Sequence, residues 1–113
     1  MDRNELILKA VRHLRSKGYI VFSPSPSRYI DFIAFGEDKN KPIFVTVGDA
    51  SKVKSIPMNG FGCSKRAKER AKRFVDACNR WVETYCLAKR FEYDAVWVGE
   101  DGCYHMVGIR PVY

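Results

Sequence analysis

Apolar residues first recur at helical spacing close to the start of the chain. Leu6, Ile7, Ala10, Val11 and Leu14 fall on one face of a helix. Asp2-Arg3-Asn4-Glu5 has the form of a capping box, with Asp2 as cap and Glu5 as its partner three residues on. Gly18 stands where such a helix stops. The pattern then shortens. Residues 19–23 are rich in β-formers and predict a strand; Ser23-Pro24-Ser25-Pro26-Ser27 can be neither helix nor central strand and predicts a loop. Residues 30–35 predict a second strand, 36–41 a hairpin turn, and 43–47 a third strand that is nearly all apolar and therefore central.

Residues 49–63 read as a long irregular stretch containing Pro57, Gly60 and Gly62, of the kind that often carries function. Ser64 then caps a helix of about two dozen residues, whose apolar face holds Ala67, Ala71, Phe74, Val75, Cys78, Val82 and Tyr85. Residues 94–98 predict a fourth strand, Glu100-Asp101-Gly102 a turn, and 103–109 a fifth strand. Helix, three strands, helix and one or two strands imply an α/β domain over residues 1–113. Its mixed central sheet is flanked by helices, because a helical crossover joins the third and fourth strands.

Charge changes this picture more than composition does. At 46% hydrophobic and 29% charged the 113 residues are those of an ordinary globular domain, with no apolar run of membrane-spanning length. No secretory leader is visible at the N-terminus, and the expected address is cytoplasmic. The net charge is +7, from 20 Lys+Arg against 13 Asp+Glu, which points to a polyanionic partner: nucleic acid, with DNA ahead of RNA, rather than a membrane. The charge is densest in residues 64–73. There Lys65, Lys68, Lys72 and Arg73 lie broadly opposite the apolar face, with Arg66 and Arg70 flanking them. With Lys52 and Lys54 in the preceding loop they form a candidate phosphate-binding surface. Cys63, Cys78, Cys86 and Cys103 lack the paired spacing of a zinc site and read as reduced thiols. His13 and His105 have no partner visible in the sequence and are expected to be ordinary.

The element order is that of the restriction-endonuclease-like αβββαβ core. Several segments match in order and spacing: Glu5 in the first helix, Lys17-Gly18-Tyr19 at its exit, Tyr29-Ile30-Asp31-Phe32-Ile33-Ala34, Phe44-Val45-Thr46-Val47-Gly48, Phe61-Gly62 with Lys65, and Phe91-Glu92-Tyr93-Asp94-Ala95-Val96. On these the chain resembles the YraN-like family of predicted endonucleases, which have the PD-(D/E)XK nuclease fold and are related to Holliday-junction resolvases. The resemblance implies a Mg²⁺ site made of carboxylates on adjacent strands, with a lysine two residues beyond the second acid. Asp31 stands at the first acid. Thr46 and Gly48 stand where the second acid and the lysine belong, and Tyr29 replaces a further acid.

With those departures the expected function is nucleic-acid binding without cutting, and no cofactor. The alternative is a divergent Mg²⁺-dependent endonuclease in which Asp31 works with relocated groups. Glu69 and Lys65 would serve in catalysis, Glu5 would join Asp31 on the metal, and Asp49 would join only if a bulge at Gly48 turned it to the face of Thr46. A third reading is a protein-interaction or homodimerisation domain with an aromatic patch of Trp81, Phe61 and Tyr85.

Overall fold

A computed structural model describes residues 1–22, 27–85 and 90–113. The expected Ser-Pro loop at 23–26 and Cys86 lie outside the described residues. The elements run α1 (Arg3–Ser16), β1 (Ile20–Phe22), β2 (Phe32–Phe35), β3 (Ile43–Asp49), α2 (Lys65–Tyr85), β4 (Glu92–Gly99) and β5 (Gly102–Met106), in the αβββαβ order expected, with β5 added. The five strands form one mixed sheet in the order β1-β2-β3-β4-β5. Neighbours are antiparallel except β3 and β4, which α2 joins in parallel.

Local chemistry sets the helix ends. The Asp2 carboxylate accepts from the Glu5 backbone N–H, while Glu5 itself stays exposed. Gly18, at φ 93°, ends α1 in a conformation that only glycine takes readily; Gly18 N–H donates to Arg15 O and Tyr19 N–H to Leu14 O, the paired bonds of a Schellman motif. Ser64 Oγ accepts from the Ala67 N–H at 3.0 Å and so caps α2 as expected.

The sheet is a middle layer between the two helices. On one face Ile33, Phe44, Ala95 and Trp97 pack against Ala67, Ala71, Phe74, Val75 and Cys78 of α2. On the other Phe32, Ala34, Val45, Val47, Val96 and Val98 pack against Leu6, Ala10, Val11 and Leu14 of α1. Strands covered on both sides explain why β3 reads as a continuous apolar run.

Three details depart from expectation. β2 begins at Phe32 because residues 27–30 are a tight turn closed by the Ile30 N–H bond to Ser27 O. Tyr85 is 57% exposed and stacks on Trp81 instead of joining the core face; Phe61 is buried against Phe74, so no patch of Trp81, Phe61 and Tyr85 forms. β3 runs unbroken to Asp49, pairing Gly48 with Trp97 and Asp49 with Val98. No bulge re-aims Asp49, which stays on the face opposite Thr46.

Candidate nucleic-acid interface

The carboxyl end of β3 opens into a cleft of about 720 Å³, walled by the turn at 28–31, the start of α1, the loop after β3 and the first turns of α2. Asp31, Thr46 and Gly48 all line it, so the three positions singled out by the sequence do meet in space. What surrounds them is cationic: Arg3, Arg28, Lys52, Arg66 and Arg70 line the same cleft.

Asp31 sits just before β2, where its N–H donates to Val45 O and continues the pairing with β3. Its Oδ2 accepts from the Val47 N–H at 2.7 Å and from an Arg3 guanidinium N–H at 2.6 Å. Burial pushes its pKa up; Arg3, the Val47 N–H and Arg70 pull it back in part. Arg3 also donates to Val47 O at 2.6 Å. Burial, then Arg3 and Arg66 nearby, push the pKa of Arg70 down, the mark of guanidiniums crowded together. Among the described residues, Arg28, Lys52, Arg66 and Arg70 are in no ion pair. Asp49 spends its carboxylate on Ser51, accepting from both its N–H and its Oγ–H.

Gly48 explains itself through its neighbour. The six-membered ring of Trp97, adjacent on β4, lies flat over it, and a Cβ built on Gly48 would fall 2.6 Å from Trp97 Cε3. No side chain fits there, least of all a lysine. The buried Trp97 indole N–H has no acceptor among the described residues.

The remaining candidates are dispersed. Glu69 pairs with Arg73 at 2.8 Å on the outer side of α2, and Arg73 also donates to the Tyr29 hydroxyl at 2.7 Å. Tyr29 is flanked by Arg28 and Arg73, each within 6 Å of its ring centroid. Lys65, Lys68 and Lys72 are exposed on α2 away from the cleft lining; Lys54 and Glu5 are likewise exposed and outside it. Of the expected phosphate-binding residues, Lys52 and Arg66 reach the cleft.

The donors present do not fit a divalent ion. Such an ion takes several oxygen ligands, whereas the two carboxylates lining the cleft are already engaged, Asp31 by a guanidinium and a backbone N–H and Asp49 by Ser51. No cluster of three His, Cys, Asp or Glu side chains occurs among the described residues.

Sequence reasoning passed over Arg3 and Arg28. Arg3 carried one signal: a cation in the first turn of a helix opposes the helix dipole and so calls for a compensating partner. It also missed a second buried polar group, at the opposite end of β4. Asp94 is fully buried, with Oδ2 2.6 Å from His105 Nε2 and Oδ1 accepting from the Gly108 N–H. Tyr19 meets the His105 ring edge-on, and Glu92 lies beside Asp94 while pairing with Lys41.

No protein-family model matches the chain, and a search of curated proteins finds no match either. No helix among the described residues is long and apolar enough to cross a membrane.

Proposed function

We propose that the chain is a nucleic-acid-binding domain on a nuclease-like fold, related to the YraN-like family it resembles, and that it does not cut. The observation that carries the proposal is the cleft itself. Five cationic side chains outnumber two carboxylates there, Asp31 and Asp49, at the strand end where a nuclease of this fold would gather acids. Backbone phosphates match that surplus of positive charge, and each contact releases condensed counterions. Thr46, Gly48 and the covering Trp97 argue for binding in place of hydrolysis, since none of these three positions supplies an acid or an amine and the carboxylate of Asp49 is engaged by Ser51.

Fluorescence anisotropy with labelled duplex DNA, branched DNA and RNA over a salt series tests the reading. Replacing Lys52, Arg66 and Arg70 together by Ala should weaken binding and lower the slope of log K against log salt by about 2–3, near 0.9 for each lost contact to B-form DNA. Replacing the outward Lys65, Lys68 and Lys72 should do less. Equal effects of the two triplets would remove the cleft from the interface, and no binding to any probe at low salt would remove the proposal.

A further inference from the structure

We infer that Arg3 is a tethered substitute for a divalent cation, so that the cleft takes a phosphate group without metal. The inference rests on the phosphate-binding reading above and adds to it the residue that makes metal unnecessary. The two oxygens that Arg3 grips are Asp31 Oδ2 and the Val47 carbonyl, each at 2.6 Å. A carboxylate oxygen and a backbone carbonyl oxygen are what a hard divalent ion takes as ligands. The guanidinium therefore stands where such an ion would stand, bridging the end of β3 to the residue leading into β2.

Its remaining N–H groups are available for a ligand. Two bonds use two of five donors, and the side chain is 53% exposed, with Arg3 in the cleft lining. The site cannot be explained as a neutral structural ion pair. Asp31 and Asp49 supply two negative charges against the five cations Arg3, Arg28, Lys52, Arg66 and Arg70 in the cleft lining, and burial of Arg70, with Arg3 and Arg66 nearby, lowers its pKa. The surplus is positive, and it persists only at an energetic cost unless an anion arrives. A metal ion at the same two oxygens would have to displace Arg3 and would add two further positive charges beside Arg66 and Arg70.

Arg3 lies in the first turn of α1, where the positive end of the helix dipole disfavours it. The Asp31 contact spans 28 residues of sequence and holds it there. Phosphate recognition by a planar guanidinium fork needs no dehydrated ion, which suits binding of a strand without its hydrolysis.

The test uses inorganic pyrophosphate as the probe and the whole chain as the protein. Asp31 would be left buried and unpaired by R3Q alone, so the informative variant is R3Q/D31N, which keeps the net charge and replaces the ion pair by an amide pair. Calorimetry in EDTA should show pyrophosphate binding to the unaltered protein and a loss of about tenfold or more in the variant. Electron paramagnetic resonance should show no Mn²⁺ bound to the unaltered protein. The inference is overturned if pyrophosphate binds only when Mg²⁺ or Mn²⁺ is added. It is equally overturned if the unaltered protein binds Mn²⁺ in a manner abolished by D31N, if R3Q/D31N binds pyrophosphate as well as the unaltered chain, or if neither binds it. The two readings separate cleanly. Pyrophosphate binding that depends on Arg3, without binding of any oligonucleotide, would keep Arg3 and remove nucleic acid as the partner. Nucleic-acid binding that depends on Lys52, Arg66 and Arg70 but is indifferent to R3Q/D31N would do the reverse.

Discussion

Gly48 and Trp97 show how much of a site can turn on one contact between adjacent strands. The indole leaves no room for a Cβ at 48. Gly48→Ala is expected to cost about 1–3 kcal/mol through overpacking, and Trp97→Ala about 3–5 kcal/mol through the cavity it leaves. The double variant should cost less than the sum, because each change relieves the other. Urea titration of the four proteins measures the coupling; strictly additive costs would show that the ring does not rest on Gly48 in solution. The glycine was legible in the sequence only as a place where the resemblance implies a lysine, and the reason for it was not. Position 97 meets position 48 only through the parallel register of β3 and β4. Arg3 and Asp31 were hidden in the same way, their contact being fixed by tertiary structure and not by any local pattern.

At the scale of elements, the helices were the most legible part. Their signals are local: Asp2 and Ser64 as caps, Gly18 as a stop, and apolar residues at helical spacing. Ser64→Ala should lower stability by about 1 kcal/mol, read as a drop in the thermal midpoint, since the Ala67 N–H loses its acceptor. The charge pattern of α2 was harder to use. The helical wheel favours residues opposite the apolar face as the binding surface, and that places Lys65, Lys68 and Lys72 outside the cleft. Arg66 and Arg70, one turn apart on the same side of α2, flank the apolar face and so reach the cleft at the end of the sheet. The loop before α2 was legible only as a loop. Its shape depends on Asn59, whose Oδ1 accepts from the Phe61 and Gly62 N–H groups and whose amide donates to Gly62 O.

Across the whole molecule, the cleft at the carboxyl end of β3 is balanced by the acidic pair near the start of β4. Hydrogen bonding to the neighbouring Asp94 carboxylate raises the pKa of Glu92 to about 7; partial burial adds to the rise. Burial alone would raise Asp94 too, but His105, Glu92 and the Gly108 N–H outweigh it and hold Asp94 below its ordinary value. For a carboxyl raised in the folded state, the folded chain binds more protons than the unfolded chain between its ordinary pKa of about 4.5 and the folded value of about 7. The Glu92 contribution is thus full below the lower value and lost as pH rises through the upper one. In Glu92→Gln the amide donates to Asp94 at every pH. The variant should match the unaltered protein near pH 4.5 and exceed it in urea resistance at pH 8; parallel stability curves would show that Glu92 keeps its ordinary titration. The Asp94 contribution has the opposite sign and acts only in acid, being lost as pH falls through its lowered folded value.

The flat contact between Trp97 and Gly48 also limits where this chain can go by mutation. Lysine at 48 meets the ring, and loss of the ring alone leaves a void in the core shared with α2. Each single step is unfavourable, and only the two together restore a packed strand end. In a landscape walked one substitution at a time, the pair forms a valley, and an amine at this strand end lies on its far side.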